Sequence, residues 1–273
     1  MPYLTASDQP RPEMPIFNCR TLWNVLPVAV FCIGLNFPLV SAHAQPTALT
    51  RGDTTKPQMA LIFTGHEYAD GGDHIRQVLR EQEVPGSFFF TGIFYERYAP
   101  LVQLLKTDRH YLGAHSDQHL LYAPWSEQDS LLVTRDSFLR DLNANYAKME
   151  KLGIARPEAP WFLPPYEWYN DSIVQWTADA GLQLINMTYG TLSHADYTTP
   201  NMPNYRSSAQ IFQSILDYEA AQANGLNGFL LLLHIGTNPD RADKFYLHLE
   251  ALIGELRERG YRLVTLQELF QND

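Results

Sequence analysis

The chain has 273 residues, 45% of them apolar and 18% charged, with a formal net charge of −10 and a pI near 5.3. That content is enough to bury one large core and too ordinary for a disordered chain. The acidic balance, without any cluster of Lys or Arg, argues against nucleic acid or an anionic membrane surface as partner. A neutral or weakly charged substrate fits better.

Arg20 precedes a mostly apolar run from Leu22 to Val40, and Ala42-His43-Ala44 has the small-x-small pattern of a signal-peptidase site. Residues 1–44 are therefore expected to be a signal peptide, with the mature chain starting near Gln45 and the protein exported to the periplasm or medium. An uncleaved anchor is the alternative, but Asn24, Pro27, Asn36 and Pro38 interrupt the run. Met14 is a second start that would shorten the leader. Both cysteines, Cys19 and Cys32, lie in this segment, so the mature chain has no thiol for a disulfide, a metal or a nucleophile. Residues 45–58 are polar and read as a tether to one domain at 59–273.

From Met59 onward, short β-branched or aromatic runs alternate with stretches of helical period, the pattern of parallel strands joined by crossover helices. Seven strands are expected: Met59 to Thr64, Ser87 to Thr91, Tyr111 to Ala114, Trp161 to Leu163, Leu182 to Thr188, Phe229 to His234 and Arg262 to Leu266. Helices are expected over Asp73 to Glu83, Asp129 to Leu152, Trp168 to Ala180, Ser207 to Ala223 and Asp243 to Arg259. Gly153, Gly181 and Gly260 stand where left-handed caps are wanted. Seven such alternations close, or nearly close, an α/β barrel whose functional loops follow the strands' carboxyl ends. The long connection from Tyr189 to Arg206 is expected to be a loop on the substrate side.

Chemistry gathers at those strand ends. His115-Ser116-Asp117-Gln118-His119 follows the third strand, and histidines four apart can share one side of a helical turn and offer two neutral nitrogens to a divalent ion. Thr64-Gly65-His66-Glu67 follows the first strand, Pro164-Pro165-Tyr166 the fourth, and His234 ends the sixth. His74, His110, His194 and His248 have no evident partners and read as surface residues.

These motifs, in this order, resemble the polysaccharide deacetylase (NodB homology) family. His115-Ser116-Asp117-Gln118-His119 is similar to its H-[ST]-x-x-H metal motif, Pro164-Pro165-Tyr166 to the end of R-x-P-Y, Leu232-Leu233-His234 to L-x-H, and Gly86 to Gly92 to its second strand. The resemblance spans about Met59 to Leu269. It implies a distorted (β/α)7 barrel and a metal-dependent hydrolase that removes acetyl groups from an oligo- or polysaccharide. The family's first motif, T-F-D-D-G, supplies a catalytic base and a metal ligand, and no Asp-Asp pair exists here. One alignment puts His66 in the ligand slot and Gly65 in the base slot; a second puts His66 in the base slot and Glu67 in the ligand slot. The arginine that orients the base is replaced by Leu163.

The arrangement preferred is a site of His66, His115 and His119 for zinc, with nickel or cobalt as alternatives, and Glu67 as general base, with Asp70 and Asp117 as competitors. The resemblance implies that the Tyr166 backbone N–H completes an oxyanion site and that His234 protonates the leaving atom, coupled to Asp196 on the long loop. Tyr122, Trp125, Tyr166, Trp168, Tyr169, Tyr189 and Tyr197 neighbour these motifs and suit the apolar faces of sugar rings. Two other outcomes stay open: a catalytically inactive glycan-binding relative, and a hydrolase of another acyl or amide bond on the same barrel. Oligomeric state leaves no mark in the sequence.

Overall fold

The computed structural model describes residues 45–271, and the expected signal peptide lies outside the described residues. Strands β1 (Gln58–Gly65), β2 (Gly86–Phe90), β3 (Tyr111–Ala114), β4 (Trp161–Phe162), β5 (Gln183–Leu184), β6 (Phe229–His234) and β7 (Arg262–Leu263) form the sheet. Around it lie helices α1 (Gly72–Glu81), α2 (Gly92–Arg97), α3 (Ala99–Thr107), α4 (Arg135–Lys151), α5 (Asp171–Asp179), α6 (Ser208–Ala221), α7 (Leu249–Glu258) and α8 (Leu266–Phe270). Every strand pairing is parallel, in the order β5, β4, β3, β2, β1, β6, with β7 beside the start of β1. The sheet curls into a half-barrel of the distorted (β/α)7 kind.

Because successive strand residues face opposite sides, each strand feeds two cores. Ala60, Ile62, Phe89, Leu163, Leu230 and Leu232 fill the barrel, closed below by Leu266 and Leu269 of α8. Met59, Leu61, Phe63, Phe88, Phe90, Phe229, Leu231 and Leu233 face outward into the larger cluster beneath the helices.

Local chemistry sets the helix ends. The expected start at Asp129 moves to Arg135, because the Thr134 hydroxyl accepts from the Ser137 N–H and Ser137 returns a bond to the Thr134 N–H, a reciprocal cap worth about 1 kcal/mol. Ser207 and Gln210 cap α6 in the same way. The last expected strand stops early because Thr265 caps α8. Gly153, Gly181 and Gly260 take φ of 71°, 75° and 90°, the left-handed caps expected. Two short helices, α2 and α3, fill a connection for which the periodicity gave no helix. Thr91 caps the first, and a proline stands in the first turn of the second.

The segment read as a tether is instead docked into the gap between β5 and β6. Leu49 N–H donates to Leu184 C=O (2.9 Å), Asn186 N–H to Leu49 C=O (2.9 Å) and Gly52 N–H to Gly228 C=O (2.7 Å). The Arg51 guanidinium donates to the carbonyls of Asn227 and Gly225 and to the Tyr218 hydroxyl. Thr188 bridges the seam, its hydroxyl donating to Thr50 C=O and accepting from Leu230 N–H (3.0 Å). The physical reason is that β5 and β6 would otherwise leave backbone edges without partners. A chain beginning at residue 53 is expected to unfold about 6–12 °C below one beginning at residue 45, from about 3 kcal/mol in three lost backbone bonds. Equal melting temperatures by circular dichroism would contradict this account of the seam.

Candidate active site

The alternation that fills the barrel also aims the site. Continued past the last inward apolar residue, the same parity brings His66 after β1, Thr91 after β2, His115 after β3 and His234 at the end of β6 to the barrel's mouth. There the three histidines line one cleft of about 560 Å³, together with Glu67, His119, Trp125, Tyr166, Glu167, His194 and Tyr197. Of the nine histidines, five meet in this cleft.

The His115 ring N–H at Nδ1 donates to the Leu163 carbonyl (2.8 Å), which can only accept, so Nε2 keeps its lone pair. Its backbone N–H donates to Asn145 Oδ1 (3.0 Å). His119 does not sit one helical turn on, as the spacing suggested. The segment is a loop in which Ser116 and His119 take φ of 69° and 58°. The Asp141 carboxylate of α4 holds it, accepting from the Ser116 hydroxyl (2.5 Å) and from the backbone N–H groups of Asp117 (2.8 Å) and Gln118 (3.0 Å). Two left-handed residues thereby turn His119 back toward His115, with ring centroids 5.1 Å apart.

Burial is the largest influence on these rings. It holds His115 down to about 3 and His119 to about 2, the neighbouring imidazoles adding to the effect, and it also lowers His66. All three are therefore neutral donors at pH 7, which suits a divalent cation. The fit is complete for His115 alone. His115 has the carbonyl-anchored ring that metal ligands characteristically show, whereas the His66 ring lies flat on that of His119, centroids 4.6 Å apart and planes at 13°. Stacked rings run their in-plane lone pairs side by side. Among the described residues no three His, Cys, Asp or Glu side chains converge on one point. The expected three-histidine set is thus assembled as neighbours without converging. Gly65 offers no slot either, since a Cβ there would come within 2.8 Å of the Ile235 and Phe90 side chains.

On the opposite side, Asp196 is buried on a short 3₁₀ turn (Ser193–Tyr197) and grips His234 twice. Oδ2 accepts from the His234 backbone N–H (2.8 Å) and Oδ1 meets ring Nδ1 (2.6 Å). Burial opposes charge on His234, but Asp196 outweighs it and raises the ring above its ordinary value. The long loop is therefore structured. The fully buried Arg241 donates to Thr198 C=O (2.6 Å) behind the turn.

Several expectations change. Glu67 stands at the exposed rim, its carbonyl held by Tyr98 Oη (2.6 Å). Asp70 is paired with Lys244 and Asp117 with Lys148, each at 2.9 Å, so neither is free to compete as a base. Tyr122 is wholly buried, whereas Trp125 is 60% exposed and rests against Tyr166 and Trp168. His248 is exposed as expected, but His110 accepts from the Gly86 N–H and His194 lines the cleft. Glu167, not singled out in the sequence, reaches the cleft because Tyr166 and Glu167 both take left-handed φ (59° and 54°). Two such residues in succession cost about 1–2 kcal/mol each. Only the adjoining Pro-Pro hinted that this turn would be unusual.

Known proteins supply the context for this geometry. The polysaccharide deacetylase family model matches residues 51–185. A peptidoglycan-N-acetylglucosamine deacetylase of Bacillus cereus is 25% identical, covering 85% of this chain and 98% of that protein. The YlxY protein of Bacillus subtilis is 23% identical over 82% of this chain, which spans only 61% of YlxY. Among solved structures, a CE4 family pseudoenzyme from Bacillus anthracis superposes with a TM-score of 0.66 at 17% identity, covering 84% of this chain and 70% of that one. The Bc1960 peptidoglycan N-acetylglucosamine deacetylase superposes at 0.67 and 18% identity, covering 83% and 94%. With this matched model, relatives aligned along most of the chain and the curled parallel barrel, the protein belongs to the polysaccharide deacetylase family as a divergent member.

Proposed function

We propose that this protein is exported and removes acetyl groups from a carbohydrate, with glycans containing N-acetylglucosamine as the first substrates to try. The observation that carries the reading is the Asp196–His234 pair set in the same cleft as His115 and His119. His115 and His119 would hold a divalent cation, zinc in first place with nickel or cobalt as alternatives, which when bound supplies Lewis acidity toward the acetyl oxygen and an acidified water. A third donor requires His66 to turn off the face of His119.

The remaining roles belong to the chain itself. The Tyr166 backbone N–H stabilises the oxyanion of the tetrahedral intermediate. His234 gives its Nε2 proton to the departing sugar nitrogen or oxygen, while Asp196 fixes the tautomer and supports the imidazolium. Trp125 and the partly exposed Tyr166 and Tyr197 offer ring faces to the sugar. The proton of the attacking water must pass to a base in the same cleft, where Glu67 occupies the rim and Glu167 the interior. The relatives that act on peptidoglycan and on chitooligosaccharide motivate the choice of substrate.

A second reading is a glycan-binding protein without turnover, favoured by the unconverged His66–His119 stack and by the likeness to a pseudoenzyme. Acetate release separates the two. The wild type is expected to release acetate from at least one of chitin oligomers, acetylxylan and peptidoglycan. His115→Ala should reduce the rate by about 100-fold or more and lose the bound metal. Glycan binding with no acetate from any of the three would favour the second reading. The Asp196–His234 pair yields a signed pH prediction. A general acid must be protonated, so the rate falls as pH rises through the His234 value, and Asp196→Asn, leaving burial opposed only by Glu167, should move that limb to lower pH. An unmoved limb would show that His234 is not the acid.

A further inference from the structure

Apart from the histidines and the Asp196 that His234 occupies, the cleft holds one inward acidic side chain whose presence neither packing nor pairing explains. Glu167 reaches the cleft on two consecutive left-handed residues, and its backbone is clamped there. Its carbonyl accepts from Asn186 Nδ2 (2.9 Å) and from the Tyr189 hydroxyl (2.9 Å), both on the segment following β5, while its own N–H donates to Pro164 C=O (3.1 Å). The carboxylate itself has no hydrogen bond or ion pair among the described residues. Two donors from a neighbouring strand end thus fix the main chain of a strained residue, and the fixed backbone leaves the acid directed at the site.

The first strand end cannot supply that acid. Gly65 has no room for a side chain, His66 is stacked on His119, and Glu67 lies at the exposed rim. Asp70 and Asp117 are each spent on a lysine. We propose that Glu167, standing directly after the oxyanion-site residue Tyr166, is the general base of the deacetylation, taking over at the fourth strand end the role the first strand end has lost. This rests on the deacetylase reading. As the water oxygen bonds to the acetyl carbon, Glu167 accepts the water proton. As the C–N or C–O bond breaks, His234 gives its proton to the departing atom, leaving acetic acid and the free amine or hydroxyl. Glu167 then releases its proton to solvent and His234 regains one.

The environment suits the task. Burial pushes the Glu167 carboxyl up to about 7, with His234 opposing the rise and Asp196 adding to it. Tyr189 faces it from the segment after β5 and His194 from the 3₁₀ turn. A base whose own value lies near the working pH transfers protons with least loss at either end.

The test is the pH profile of kcat/KM for acetate release by the full-length metal-loaded protein and by Glu167→Gln, Glu167→Ala and Glu67→Gln. In the wild type the rate should climb with pH through the Glu167 value. Glu167→Gln should lower kcat by about 100-fold or more, with KM within about threefold, and abolish that acidic limb. Added formate should restore part of the rate to Glu167→Ala, which loss of a purely structural contact would not permit. An acidic limb that persists in Glu167→Gln and vanishes in Glu67→Gln overturns the assignment while leaving the deacetylase reading intact. A wild type that releases no acetate overturns both.

Discussion

The two-residue alternation of the parallel strands is the constraint on which the molecule depends. It sends Ala60, Ile62, Leu230 and Leu232 into the barrel and Leu61, Phe63, Leu231 and Leu233 beneath the helices. Because the strands are parallel, their carboxyl ends open on one side, and the inward parity then delivers imidazoles where apolar side chains stop. A one-residue slip of β6 would bury His234 under the helices and put Leu233 in the cleft. Core and site are therefore two readings of one register, fixed by Thr64 lying beside Phe89 on one side and His234 on the other.

Around that mouth, buried carboxylates do unequal work. Asp141 satisfies three donors of the His115–His119 loop and so stabilises a turn with two left-handed residues. Asp196 raises His234, the imidazole proposed to deliver a proton, whereas His115 and His119, without a carboxylate against their rings, are kept neutral by burial. One low-dielectric cleft thus holds donors suited to a cation beside a ring suited to proton delivery. Glu167 adds an acid that is desolvated and unpaired. The separation of roles comes from which side chain has a partner.

Much of this was legible in the sequence because it is local. Hydrophobic alternation located the strands to within a few residues, and the strand-end histidines at 115, 119 and 234 follow from it directly. Asp196 also emerged, as the partner on the long loop that the family resemblance implies for His234. What escaped notice depends on distant partners. The 45–58 segment looks polar and unattached until the β5–β6 seam demands backbone partners. Glu167 reads as an ordinary loop carboxylate until two positive φ angles aim it inward, and His194 as a surface residue until its turn folds over the barrel. The neighbours His115 and His119 looked helical by spacing, but Asp141, more than twenty positions away, dictates a loop.

The central claim is that this cleft, with its imidazoles, receives the acetylated sugar. The most direct measurement is an NMR titration of histidine ring resonances in the wild-type protein with an acetylated chitin oligomer and with its deacetylated counterpart. His115, His119 and His234 are predicted to shift together with the acetylated oligomer and much less with the deacetylated one. Rings that stay still, or respond equally to both, would contradict it.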